Sequence, residues 1–191
     1  MIIGLDLDGV LYDWHRPVYN YMTIYKGVKE SYEEFWHHYK DYEEDLKYLV
    51  TLVDLYDKTI PTKETLKTLS IINGGGHTIH YITSRPEDAT LITERYVNRW
   101  YPQAMNLTVT RNGDKPNYIR LYKLDFYVND RMEENLKLKD VCKIILFRQP
   151  WNDTPDRELF TCISSIKEII PFLSYSKLKT GYNWEQVEGK P

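Results

Sequence analysis

Apolar residues fall along this chain in short bursts, separated by stretches of helical period. Residues 2–7 (IIGLDL), 78–83 (TIHYIT), 107–109 (LTV), 126–129 (FYVN) and 143–147 (KIILF) read as short buried strands. A further run at 160–164 (FTCIS) reads as an edge strand. Helical patterning covers 87–100 and 116–122. Another helix over 62–72 is opened by Pro61-Thr62 and stopped by Asn73-Gly74-Gly75-Gly76. Strands alternating with helices indicate a parallel sheet built from βαβ units, an α/β fold.

The first crossover breaks the rhythm. From Asp13 to Gly74 it is far longer than a βαβ connection needs, and it carries the aromatic and acidic helical text SYEEFWHHYKDYEEDLKYLVTLVDLYD. Residues 15–60 therefore read as a small helical cap inserted after the first strand. It is expected above the carboxyl ends of the strands, where open α/β sheets bind ligands. The chain divides into a core of residues 1–14 and 61–176, the cap at 15–60, and a polar tail at 177–191.

The polar residues that matter lie where the strands end. Asp6 and Asp8 close the first strand two positions apart, a spacing that sends both carboxylates to the same side of a strand. Two like charges at the end of an apolar strand are costly unless something compensates them. The second strand ends in Thr83-Ser84-Arg85, the fourth in Asn129-Asp130-Arg131, and Lys115 precedes the helix leading into the fourth. In a parallel sheet these ends converge on one crevice. Carboxylates with open water positions suit Mg²⁺, which would neutralise Asp6 and Asp8. A lysine and two hydroxyls, Lys115, Thr83 and Ser84, suit a phosphate beside that metal. Asp6, within the rigid strand, is the candidate nucleophile on phosphorus; Asp8, before Gly9, is the candidate acid and base. Gly9 lets backbone amides approach the phosphate.

Composition narrows the picture. Net charge is −3, so no global basic field attracts long nucleic acid. No apolar run approaches membrane-spanning length, and the start, Met1-Ile2-Ile3-Gly4, lacks the basic leader of a signal peptide. Cys142 and Cys162 have no metal or redox spacing and read as buried thiols of a cytoplasmic protein. The expected partner is a small-molecule phosphomonoester, with a homodimer left open.

The order DLDGV, YITSR, DK, YVNDR resembles the haloacid-dehalogenase (HAD) superfamily of phosphohydrolases, over about residues 1–150. The resemblance implies a Rossmann-like core, Asp6 as nucleophile, Asp8 as general acid and base, Thr83 and Lys115 on the phosphate, and Asp130 at a Mg²⁺ site. DLDGVLYDW further resembles the first motif of 5′(3′)-deoxyribonucleotidases, which implies that the aromatic Trp14 meets the substrate. TRNGDK resembles their Arg-x-Lys stretch with two extra residues, which implies Arg111 near the site, and FRQPWN resembles the segment after their fifth strand. The phosphatase half of phage polynucleotide kinase has a similar layout. One departure stands out: those families carry Asp-Asp where this chain has Asn129-Asp130. Either Asp130 binds the metal directly, or Asn129 does so with Asp130 acting through water.

Plainer readings run beside these. Asp6-Asp8 and Asn129-Asp130 also suit strand-end turns, Ser84 also suits a helix N-cap, and Lys123 competes with Lys115. Trp14, Tyr19, Phe35 and Trp36 can stack on a nucleobase or form the cap's own core. His37-His38 diverge on a helix and read as surface residues, and Glu43-Glu44-Asp45 as a solvated face. The expected function is a Mg²⁺-dependent phosphomonoesterase acting on nucleoside monophosphates. The rival readings are a polynucleotide 3′-phosphatase and a nucleotide-binding protein without catalysis.

Overall fold

The computed structural model describes residues 1–49, 52–111 and 114–177; the tail expected at 177–191 lies almost wholly outside the described residues. Six parallel strands form one sheet: β1 (Ile2–Leu5), β2 (Thr78–Thr83), β3 (Leu107–Val109), β4 (Phe126–Asn129), β5 (Lys143–Phe147) and β6 (Thr161–Ile163). Their order is β3-β2-β1-β4-β5-β6, so the chain reverses direction across the sheet between β1 and β4. Such a switch point opens a crevice at the carboxyl ends of the two central strands. Ile3 registers with Ile79 on one side and Phe126 on the other, and Ile3 and Leu5 are fully buried. Helices on both faces explain why these strands are nearly all apolar.

The strands appear where the apolar runs placed them, with two differences. β1 ends at Leu5 rather than at residue 7. The Asp6 amide still donates to Val128 O at 3.0 Å, but Leu7 O then accepts from the amides of Val10, Leu11 and Tyr12, curling the chain into a turn. Gly9 sits in that turn with φ of 77°, the left-handed region that favours glycine. The period-two argument that sent Asp6 and Asp8 to one side thus loses its basis past Leu5. β6 is also shorter than its run, as suits an edge strand.

Three short helices, α1 (His15–Tyr21), α2 (Tyr32–His37) and α3 (Glu43–Leu49), fill the first crossover with intervening turns, the last of them at Val53–Asp57. The Ser31 hydroxyl accepts the Glu34 amide while the Glu34 carboxylate accepts the Ser31 amide, a reciprocal cap that starts α2. Val18, Met22, Phe35 and Leu49 from this insertion are buried in one continuous cluster with Ile3 and Leu5 of the sheet. The insertion packs α2 on the turn Pro150–Asn152 after β5, and its last turn on the helix after β2. Both neighbours follow the carboxyl end of a strand.

The crossover helices are α4 (Lys63–Gly74), α5 (Thr90–Trp100), α6 (Lys115–Tyr122) and α7 (Met132–Leu138), and α8 (Ile170–Lys177) follows β6. Thr62 caps α4 by accepting the Thr65 amide at 3.0 Å. The helix runs through Asn73 and Gly74, where a stop was expected, and closes at Gly76, whose φ is 73°. On the opposite face a second cluster joins Ile119 and Leu138 to Ile82, Tyr127 and Ile144. Cys142 and Cys162 are free thiols but only half-buried, because one precedes β5 and the other lies on the edge strand; the expected full burial is not found. Among the described residues no helix is long and apolar enough to cross a membrane.

Gly4 marks how tightly the sheet is covered. A Cβ there would overlap Leu124 Cδ1 and come within 2.7 Å of Tyr127 Cδ2. Gly4→Ala is expected to lower unfolding free energy by about 1–3 kcal/mol, as overpacking of a filled core does. Urea denaturation measures it, and an unchanged midpoint would show that the Leu124 and Tyr127 side chains give way.

Candidate active site

The switch point gathers side chains from six parts of the chain into one cavity of about 350 Å³. Asp6 and Asp8 come from the turn after β1, Thr83 and Ser84 from the end of β2, and Lys115 from the first position of α6. Asp130 and Arg131 follow β4, Trp151 follows β5, and the insertion with its approach adds Trp14, His15, Trp36, Tyr39 and Tyr56.

Asp6 is buried. Its Oδ1 accepts the Leu7 amide at 2.8 Å and its Oδ2 accepts from Lys115 Nζ at 2.7 Å. Lys115 is only 4% exposed and donates also to Glu134 Oε2 at 2.8 Å. Burial pushes Asp6 up to about 6 against the pull of Lys115. Burial alone would push Lys115 down, but Asp6, Tyr127 and Glu134 outweigh it and hold the ammonium charged. Glu134, half-shielded, is kept below its ordinary value because Lys115 and Arg131 overcome the effect of burial.

Asn129 and Asp130 stand beside this network. The Asn129 Nδ2 donates to Asn135 Oδ1 at 2.9 Å and Glu134 Oε2 at 3.3 Å. Trp151 Nε1 donates to Asp130 Oδ2 at 2.8 Å. Asn129 Oδ1 and Asp130 Oδ1 are buried and have no hydrogen-bond donor. Burial, aided by the Asp6 charge, pushes Asp130 up to about 8. Buried oxygens lacking donors, beside carboxyls held above their usual range, form an environment that a hard cation would relieve. The residues therefore fit an oxygen-liganded metal, with Asp6, Asp130 and Asn129 as the protein donors.

Asp8 takes a different partner. Its carboxylate accepts from Arg85 Nη2 at 2.6 Å and Nε at 2.9 Å, a two-pronged pair. The Arg85 side chain is fully buried while that of Asp8 is 25% exposed. The guanidinium lies between the rings of Tyr12 and Tyr56, 4.6 and 4.7 Å from their centroids, and Nη1 donates to Tyr56 O and Thr93 Oγ1. Among the described residues no three His, Cys, Asp or Glu side chains form a metal-holding group, and the Asp8 carboxylate is turned toward Arg85. The grouping of the Asp8 side chain with Asp6, Asn129 and Asp130 as metal ligands does not match this placement.

The other sequence candidates divide. Thr83, Ser84, Lys115, Trp14 and Trp36 line the cavity. Arg111 does not: its side chain is 85% exposed, 3.8 Å from Glu87, on a separate groove of about 610 Å³ that shares Ser84 with the cavity. Residues 112 and 113 of TRNGDK lie outside the described residues. Lys123 is exposed at the end of α6, as are His37 and His38 in the insertion. Phe35 is wholly in the core, and Tyr19 packs on it and on Tyr32.

Sequence reasoning gave no role to Arg85, Glu134, His15, Tyr56 or Trp151. Arg85 was in view at the end of TSR, and Trp151 within FRQPWN; Glu134 carries only the weak signal of lying one turn into the helix after Asn129-Asp130. His15 is half-buried, stacked 3.7 Å from Trp151, and desolvation beside Arg131 lowers it to about 3, so its imidazole is neutral.

No family model matches the chain, and no curated protein does. Solved structures do match. A HAD family hydrolase from Deinococcus radiodurans with bound phosphate and sodium superposes with a TM-score of 0.63 at 11% identity, covering 93% of this chain and 96% of that one. A hydrolase from Pseudomonas syringae gives 0.59 at 10% identity, over 92% and 99%. The D,D-heptose 1.7-bisphosphate phosphatase of B. bronchiseptica, complexed with magnesium and phosphate, gives 0.51 at 12% identity, over 92% and 98%. The chain has the fold of HAD hydrolases; nothing in these likenesses singles out the 5′(3′)-deoxyribonucleotidases.

Two outcomes follow from the charges. Arg85→Met strands Asp8 and is expected to cost about 3 kcal/mol, the low end for a broken buried pair because Asp8 keeps some solvent. Adding Asp8→Asn should restore part of it, and a urea double-mutant cycle without such coupling would refute the pairing. The second concerns pH. Asp130 has a folded value near 8, above its ordinary 3.8, so the folded chain holds its proton where the unfolded chain has lost it. Stability without added cation should therefore fall as pH rises from about 4 to about 8. Thermal melts at either end of that window should differ for wild type and much less for Asp130→Asn.

Proposed function

We propose that this protein is a phosphomonoesterase that works through an aspartyl-phosphate on Asp6. The observation that carries the reading is the buried Asp6 carboxylate, held by an ammonium at 2.7 Å, in the same cavity as a second carboxylate gripped by a buried guanidinium. One Asp6 oxygen attacks phosphorus and the ester oxygen departs with its electron pair, taking a proton from Asp8. Water then attacks the acyl phosphate, Asp8 accepts its proton, and Asp6 and inorganic phosphate are released. Lys115 balances charge beside Asp6, while Thr83 and Ser84 offer hydroxyls at the mouth of β2. A Mg²⁺ ion held by Asp6, Asp130 and Asn129 would supply charge neutralisation for the transferring phosphoryl group. The D. radiodurans and B. bronchiseptica structures, with phosphate bound, support a phosphate-ester substrate on this fold.

We further propose that the departing alcohol carries an aromatic ring, with a nucleoside monophosphate as the leading candidate substrate. Trp14, Trp36, Tyr39, Tyr56 and Trp151 wall the cavity, and flat faces of this kind stack on a base of any sequence. Residues 15–60 would act as the cap that presents Trp36, Tyr39 and Tyr56. The groove beyond Ser84 sets Glu87 and Glu94 against Arg111 and against Arg85, which is already paired with Asp8, and so offers little to a long phosphate backbone.

The test is phosphate release from nucleotides, sugar phosphates and 3′-phosphorylated oligonucleotides, with and without Mg²⁺. Wild type should release phosphate with the ion, and Asp6→Asn should release none. Asp8→Asn should lose about 10²–10⁴-fold on alkyl esters, and much less on p-nitrophenyl phosphate, whose leaving group needs no proton. Activity retained by Asp6→Asn would overturn the mechanism; preference for sugar phosphates would overturn the nucleotide assignment.

A further inference from the structure

One four-residue turn after β5, Gln149-Pro150-Trp151-Asn152, grips both loops that carry the cavity's carboxylates. Gln149 Nε2 donates to Gly9 O at 2.7 Å, on the loop of Asp6 and Asp8. Asn152 Nδ2 donates to Asp130 O at 2.7 Å and to Phe147 O at 2.8 Å, and Trp151 Nε1 donates to Asp130 Oδ2 at 2.8 Å. The turn is itself braced. Asn152 Oδ1 accepts from the Gln149 amide at 3.1 Å and from Arg157 Nη2 at 3.0 Å, and Asn152 is fully buried. Of these four residues only Trp151 lines the cavity.

We propose that this turn positions the site, and that Trp151 is a positioning residue that fixes the Asp130 carboxylate with one oxygen engaged and the other free. The inference rests on the reading of Asp130 as a cation-holding carboxylate. A carboxylate on its own can present either oxygen. The indole N–H can only donate, so it selects Oδ2 and nothing else. Gly9 closes the other side: a Cβ there would overlap Oδ2 and approach Asp130 Cγ at 2.6 Å, so Oδ2 is seated against the bare Cα of the neighbouring loop. Oδ1 is left buried with no donor. The direction of the N–H is set by the ring, which stacks on His15 at 3.7 Å and meets Trp36 edge-on at 5.5 Å. A neutral imidazole in that stack brings no further charge beside Asp130. Contacts that orient a ligating carboxylate are worth about 10–100-fold in metal affinity or activity when removed.

Trp151→Phe keeps a ring against His15 and removes the N–H. Calorimetry with Mg²⁺ alone, without substrate, should show affinity reduced about tenfold or more, kcat reduced with KM nearly unchanged, and a melting temperature close to wild type. A packing role alone would move the melting temperature and leave the affinity. Gln149→Leu, which frees the Gly9 loop, should show the same loss if Trp151→Phe fails to fold. A third readout needs neither metal nor turnover: the Trp151 indole proton signal, identified by its absence in Trp151→Phe, should move in Asp130→Asn. Wild-type affinity and turnover in both folded variants, or an indole signal indifferent to Asp130→Asn, would overturn the positioning role. A wild type that binds no Mg²⁺ and releases no phosphate would overturn the functional reading instead, and the indole signal would then decide the positioning alone.

Discussion

A carboxylate buried against an ammonium, Asp6 on Lys115, is the constraint around which the rest of this molecule is arranged. The reversal of strand order between β1 and β4 leaves a gap at the carboxyl end of the sheet, and Asp6 is the residue that faces it. Once a charge stands there, every neighbour must answer for it. Lys115 opens α6, Glu134 leans from α7 to share that ammonium, and Asn129 at the end of β4 donates to Glu134 while bonding Asn135. Four elements are thereby tied through one polar network. Such networks are weak sources of stability, since desolvation offsets most of their attraction, so their retention points toward chemistry.

The two aspartates of the opening motif meet different environments. Asp6 is sealed from solvent and carries the cost of burial. Asp8 keeps a quarter of its surface and is held by a guanidinium locked between two tyrosine rings. The proposed nucleophile would benefit from the first setting, and the proposed proton carrier, which must meet leaving group and water in turn, from the second.

What could be read from the chain and what could not separates along physical lines. The strands were legible because fully buried parallel strands are continuous apolar runs bounded by polar residues, and four of the five assigned runs keep their ends in the structure. β1 was overread because LDL continues an alternating pattern, while hydrogen bonding to Leu7 O curls the chain after Leu5. The convergence of Asp6, Thr83, Ser84, Lys115 and Asp130 followed from strand topology alone. Arg85 and Trp151 were present in quoted motifs, yet their roles come from partners 77 and 21 positions away, which no local pattern reveals. Arg111 failed to reach the cavity for the converse reason: proximity along a loop does not set where a long side chain ends.

The slot that holds Arg85 reaches beyond Asp8. One wall of it, Tyr56, belongs to the last turn of the insertion, and the same residue supplies the carbonyl that Arg85 Nη1 donates to. The helical insertion is therefore no interchangeable cassette. Grafting a different one onto this sheet, by recombination or by design, would remove half of the seat beneath Asp8 along with aromatic walls of the cavity. New specificity on this scaffold has to be drawn from substitutions that leave residue 56 in place, or arrive together with a replacement for Arg85.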